Sequence, residues 1–160
     1  MNNDITIRPI REDEYNLLKK FLYLAIFRKD DTAVIPPEIV ETPELRIYFE
    51  NFGCRAGDIA LCAETAGEII GLVWVRNIKG FGYVDTFTPE LAISLTPDYR
   101  NSGIGGAMMK SMLELLRING CKQCSLSVQK DNFAAKWYGR LGFRVVKETE
   151  DEAIMLYRFA

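Results

Sequence analysis

The sequence predicts an α/β fold: a mixed, mostly antiparallel twisted sheet of about seven strands with about four helices, in a single domain over 1–160. Three observations predict it. Apolar spacing through the second half runs strand, helix, strand, helix, strand, strand. In the first half, Thr65-Ala66-Gly67-Glu68 joins two apolar runs and reads as a hairpin turn. The 160 residues, 48% hydrophobic and 26% charged, match one globular unit that needs no disulfide or metal to bury its core.

Ile5, Ile7 and Pro9-Ile10 predict a first short strand. Tyr15, Leu18, Leu22, Ala25 and Ile26 recur at helical spacing and predict a helix over 11–28. Arg28 to Pro43, with Asp30-Asp31 and Pro36-Pro37, reads as an irregular connection. A second helix is expected from Glu44 to Phe52, closed by Gly53. Strands follow at Ile59–Glu64 and Ile69–Arg76, then a loop over 77–88 that holds Gly80 and Gly82. Glu90–Leu95 is a strand ended by Thr96-Pro97. Gly103–Asn119 is a helix with one apolar stripe, Ile104, Met108, Met112, Leu115 and Leu116, stopped by Gly120. Ser125–Gln129 is a strand, Asn132–Leu141 a helix stopped by Gly142, and Phe143–Lys147 and Ala153–Phe159 an antiparallel pair of strands.

Composition removes several mechanisms. The chain has no histidine, so a Ser-His-Asp triad, a Cys-His pair and a His-Glu-x-x-His zinc site are all excluded. Proton chemistry must run on carboxylates, tyrosine, serine, cysteine or water. Twenty Lys+Arg against 22 Asp+Glu argue against a nucleic-acid partner. No apolar run approaches the length of a membrane span, and Met1-Asn2-Asn3-Asp4 lacks a signal-peptide pattern, so no membrane partner and a cytoplasmic location are expected. Cys54, Cys62, Cys121 and Cys124 make no zinc site, and Cys121-Lys122-Gln123-Cys124 follows a helix, where it packs and does no redox chemistry.

The most informative segment runs from Leu95 through Tyr99-Arg100-Asn101-Ser102-Gly103-Ile104-Gly105-Gly106, between a strand end and a helix start. Glycines at 103, 105 and 106 let a ligand approach the backbone, and the first amides of a helix have no partners of their own. With the helix dipole, this turn suits a phosphate or pyrophosphate, and Arg100 can add a positive charge. Gly105-Gly106-Ala107 stands where a P-loop needs Gly-Lys-Ser/Thr, and Met108 stands where a Rossmann fingerprint needs its third glycine. The alternative reading is that these glycines only permit tight packing.

Arg100-x-x-Gly103-x-Gly105 after Pro97-x-Tyr99, with Asn132 and then Tyr138-x-x-Leu141-Gly142-Phe143, resembles the GNAT (GCN5-related N-acetyltransferase) family. The element order resembles it along the whole chain, and the residue-level match lies within 88–146. The resemblance implies a GNAT-like fold whose two central parallel strands, at 90–95 and 124–129, splay apart. It implies acetyl-CoA as co-substrate and no metal. Its pyrophosphate would sit on the backbone amides of Asn101, Ser102, Gly103, Ile104, Gly105 and Gly106. Its pantetheine arm would run beside Ile93, Ser94 and Leu95, with Asn132 on the opposite side. Asp131 is the alternative for that place, since the family's Asn-to-Tyr gap is seven residues and Asn132 to Tyr138 is six.

The resemblance also implies direct transfer of an acetyl group to a primary amine of a small molecule or peptide. Tyr138 matches the family's tyrosine and would stand by the departing thiolate. Some N-terminal-residue enzymes of the family carry Glu five residues before the Asn, where this chain has Ser127, which weakens the reading as a ribosomal-protein modifier. Glu90, with Asp85 behind it, is the candidate base; the alternatives are a water chain, or a Glu90 that is merely solvated. Asp30, Asp31, Glu38 and Glu44 could draw in a cationic amine or simply be solvated. Tyr23, Phe27, Tyr48, Phe52 and Trp74 could line an acceptor pocket or belong to the core. A homodimer is left open, as are a non-catalytic CoA-binding module and a plain interaction domain.

Overall fold

The strands are β1 (Thr6–Pro9), β2 (Ile59–Thr65), β3 (Glu68–Arg76), β4 (Glu90–Leu95), β5 (Gln123–Gln129), β6 (Arg144–Glu148) and β7 (Glu152–Arg158). The helices are α1 (Leu17–Ala25), α2 (Pro43–Arg46), α3 (Ile104–Ile118) and α4 (Ala134–Leu141). In the computed structural model, which describes residues 4–28 and 34–160, the strands form one sheet ordered β1-β2-β3-β4-β5-β7-β6. Every neighbouring pair is antiparallel except β4 and β5. That parallel ladder holds a single pair, Glu90 opposite Ser125, and beyond it the two strands part.

Strand alternation sorts side chains to two faces. Leu61, Ala63, Val73, Val75, Leu91, Cys124, Leu126 and Val128 pack with Met108, Met109 and Met112 of α3. Ala60, Cys62, Leu72 and Trp74 pack on the other face with Leu18, Phe21 and Leu22 of α1 and with Tyr48 and Phe52. The expected helical stripe of α3 is thus the centre of one core layer, while the α1 layer covers only the first half of the sheet.

Two helices are shorter than the sequence pattern suggests. The expected helix over 11–28 opens as a 3-10 turn at Glu12–Glu14 and becomes α-helical only at Leu17. Glu14 is the reason: its carboxylate accepts from the Arg11 amide (2.7 Å) and from the two terminal guanidinium nitrogens of Arg8 (2.9 Å each). The expected helix over 44–52 stops at Arg46, and a 3-10 turn at Pro37–Glu41 forms within the expected irregular connection. Here Arg76, 1% exposed, pairs with Asp58 and donates to the carbonyls of Ile47 (3.0 Å), Glu50 (2.6 Å) and Asn51 (3.3 Å). A guanidinium thereby caps the carbonyls that a longer helix would use internally.

Both buried charges make predictions. Arg8 and the Arg11 amide hold the Glu14 carboxyl down at about 2, below its ordinary value of 4.5. A lowered carboxyl pKa stabilises the fold above the unfolded value and loses that contribution as pH falls toward the folded one. Denaturant titrations of Glu14→Gln against the parent should therefore differ most above pH 5 and converge near pH 2. Arg76→Met leaves Asp58 buried without its partner and should cost about 3–5 kcal/mol in the same measurement.

Candidate active site

The gap between β4 and β5 is built by the sheet itself. The Thr96 amide donates to Ile70 O (2.8 Å), so by alternation the even residues of β4 bond β3 and the odd ones face β5. Only the start of that edge is paired, where the Ser125 amide donates to Pro89 O (3.0 Å). Ile93 and Leu95 therefore present backbone groups to the open gap. Ser94 does not: its backbone faces β3, and its hydroxyl donates to Phe21 O of α1 (2.6 Å).

At the far end of β4 the chain makes a 3-10 turn at Pro97–Tyr99 and enters α3 through Gly103. Asn101 (φ 60°) and Gly103 (φ 85°) both take left-handed backbone, which bends successive amides toward one side. The first bond closing α3 runs from the Ala107 amide to Gly103 O (3.2 Å). The amides of Asn101, Ser102, Gly103, Ile104, Gly105 and Gly106 have no acceptor among the described residues. A Cβ on Gly106 would meet nothing within 4 Å, and one on Gly105 would meet only Leu95 at 3.5 Å and Trp137 at 3.7 Å. The exposed Arg100 guanidinium donates to Leu95 O (3.2 Å) and Leu24 O (3.3 Å), tying α1 to the turn.

Trp137 brings α4 beside this turn, and the next residue, Tyr138, packs against the Trp137 ring. The Tyr138 ring stands 5.2 Å from the Trp137 ring and 5.8 Å from the Phe143 ring. Its hydroxyl has no hydrogen-bond acceptor among the described residues, and burial pushes its pKa up to about 12. Asn132 starts α4: its Oδ1 accepts from the Ala134 amide (2.9 Å), leaving its amide nitrogen for another partner.

Glu90 is not a solvated strand end. It is 3% exposed and accepts three hydrogen bonds: Oε1 from the Gly82 amide (2.6 Å) and the Tyr48 hydroxyl (2.9 Å), Oε2 from the Gly80 amide (2.7 Å). Burial raises its pKa, and the three donors oppose that rise. Of its four lone-pair sites, one on Oε2 is left. The loop over 77–88 thus closes down on the β4 start, and Ser125 fastens it by donating to Gly82 O (2.7 Å). A Cβ on Gly82 would lie 2.8 Å from Glu90 Oε1 and 2.9 Å from the Leu126 carbonyl carbon, so only glycine fits.

Other expected residues lie elsewhere. Asp85 accepts from Thr88 Oγ1 (2.7 Å) and the Phe87 amide (2.8 Å), which bend the loop. Glu38 and Glu44 are exposed, while Asp30 and Asp31 lie outside the described residues, as do Met1, Asn2 and Asn3. Phe52 and Trp74 are core, and Tyr23 and Phe27 are half-buried around α1. Cys124 is buried and Cys121 donates to Gln123 O (3.1 Å). Among the described residues no group of three His, Cys, Asp or Glu side chains could hold a metal, and no helix is long and apolar enough to cross a membrane. Sequence reasoning missed Tyr48, Gly80 and Gly82 as partners of Glu90; the signal available was Gly-Phe-Gly eight residues before a strand-opening glutamate.

Comparison with known proteins agrees with this geometry. The Acetyltransferase (GNAT) family profile matches residues 23–143. An acetyltransferase of Sodalis glossinidius is 32% identical over 100 residues, covering 62% of this chain and 63% of its own. A mycothiol acetyltransferase of Corynebacterium aurimucosum is 31% identical over 91 residues, covering 54% of this chain and 28% of its own. The matches thus span less than two thirds of both relatives. Among solved structures, the PaiA N-acetyltransferase of Thermoplasma acidophilum, in complex with coenzyme A, superposes with a TM-score of 0.72 at 19% identity over 98% of this chain and 99% of that one. A GNAT-family acetyltransferase of Staphylococcus aureus gives 0.71 at 16% identity over 98% and 100%. Those structures share the fold, and the profile match, running from α1 through the turn to Phe143, makes this chain a member of the GNAT acetyltransferase family.

Proposed function

We propose that the protein is an acetyl-CoA-dependent N-acetyltransferase that moves an acetyl group directly to a primary amine of a small molecule or peptide. The observation that carries this reading is the row of unpaired amides over 101–106 at the end of a strand whose far edge is open. The amides suit a pyrophosphate. The open edge at Ile93 and Leu95 suits an amide-bearing arm added as a strand. Asn132, through its free amide nitrogen, would meet that arm from the other side. Bound acetyl-CoA would supply an activated acetyl thioester.

The chain's own groups then have two tasks. An aliphatic amine with pKa near 10.4 is neutral in only about one molecule in 2,500 at pH 7. Glu90 would take the ammonium proton through a water on the remaining Oε2 site, which its raised pKa favours. The new C–N bond forms as the C–S bond breaks, and the departing thiolate needs a donor. A Tyr138 phenol near 12 is about 5 kcal/mol too weak an acid to protonate a thiolate whose thiol titrates near 8.5. Tyr138 therefore serves by donating a hydrogen bond to the thiolate, which takes its proton from solvent. No covalent enzyme intermediate and no histidine is needed.

The test is thiol release from acetyl-CoA with 1,4-diaminobutane, benzylamine, free lysine and a short peptide with a free α-amine. Turnover on any of them supports the enzyme reading; CoA binding without turnover on a wider panel would favour a non-catalytic CoA module, and no CoA binding would end both. Tyr138→Phe should lower turnover by about tenfold to a hundredfold, the worth of one hydrogen bond to a charged group, with CoA affinity unchanged. Gly105→Ala should raise thermal stability slightly, since alanine is the better helix former and its Cβ has room. Calorimetry should nevertheless show weaker CoA binding by the same variant.

A further inference from the structure

We propose that Tyr48 is a positioning residue for Glu90: its hydroxyl, oriented by the Phe81 amide, aims the carboxylate and stabilises its charged form at the closed end of the β4–β5 gap. This rests on the reading of Glu90 as the base. The hydroxyl has one proton to give. It accepts from the Phe81 amide (2.8 Å), and the acceptor beside it is Glu90 Oε1 (2.9 Å), so the proton points at the carboxylate. The Tyr48 ring is 8% exposed and lies against the Phe81 ring, with centroids 6.4 Å apart and planes 12° from parallel. Its backbone is pinned on both sides, since Trp74 Nε1 donates to Tyr48 O (3.0 Å) and Arg76 holds Ile47 O and Glu50 O. Tyr48 thus ties α2's segment, the 77–88 loop and the β4 start to one carboxylate.

The Gly82 and Gly80 amides are the other donors to Glu90; among the described residues Tyr48 is the one side chain that donates to it. Arg76 stands opposite Glu90 in the β3–β4 register, but its guanidinium is turned to Asp58 and the carbonyls of Ile47, Glu50 and Asn51. Lys79 lies over the Tyr83 ring (5.8 Å), Asp85 is held by Thr88 and Phe87, and Glu152 on β7 is bonded by Gln129 (3.1 Å). Burial first, and the Glu90 charge second, hold the Tyr48 phenol well above its ordinary value, so it remains a donor wherever Glu90 is ionised.

The experiment follows the Glu90 side-chain carboxyl carbon by NMR through a pH titration of the CoA-bound protein, beside the pH–rate profile for the panel amine that is turned over. Tyr48→Phe removes one hydrogen bond to the charged form, so the Glu90 midpoint and the acid limb of the rate should both rise by about one to two pH units. An unmoved midpoint would overturn the proposal while leaving Glu90 as base. An acid limb that survives in Glu90→Gln would overturn the base reading and this inference together. Phe52→Leu, a packing change in the same core cluster, should lower thermal stability without moving the limb; a shift as large as that of Tyr48→Phe would reduce Tyr48 to packing. A measurement on the parent protein needs no variant to fold: the Phe81 amide proton should titrate with the Glu90 midpoint, and a flat Phe81 signal would break the relay.

Discussion

Glu90 stands at the last point where the two halves of the sheet touch. One backbone pair with Ser125 closes the parallel ladder there, and beyond it both strand edges lie open. Open strand edges are ordinarily costly, because each buried amide or carbonyl wants a partner. Here the opening is bounded at its apex by a buried carboxylate that gathers two glycine amides and a tyrosine hydroxyl. The same carboxylate and Ser125 together hold the 77–88 loop against the start of β4.

At its other end the gap runs to the backbone turn that opens α3. The six amides over 101–106 have no acceptor among the described residues, because the turn is left-handed at Asn101 and Gly103 and because a helix cannot satisfy its own first amides. A chain with net charge −2 thus still carries a locally positive end, because it is a set of dipoles absent from any count of ionisable side chains. Arg100 donates to the carbonyls of Leu95 and Leu24, which fastens α1 against the turn and holds its charge beside these amides.

Charged side chains claim backbone groups in the first half as well. Arg76 and Glu14 look like surface charges at the ends of a strand and in a helix. Arg76 replaces helix hydrogen bonds over 47–51, and Glu14 turns the start of the first helix into a 3-10 turn. Both shorten helices that apolar spacing alone extends, since the spacing registers which residues face the core and is blind to which carbonyls a distant side chain will claim. α3 carries no such competitor, and its predicted span over 103–119 agrees with Ile104–Ile118.

The sequence by itself determined the strand and helix order and the glycine turn with its family, because each is written in residues close together along the chain. Its tyrosine and asparagine near α4 were legible only through resemblance. The tertiary structure alone decided what Tyr48, Gly80 and Gly82 are for. Tyr48 reaches Glu90 across 42 positions, and the two glycines matter because a Cβ at either would strike the carboxylate. It likewise turned Ser94 away from the gap while leaving Ile93 and Leu95 on it. Contacts of that kind depend on which strand lies beside which, and local spacing carries no record of it.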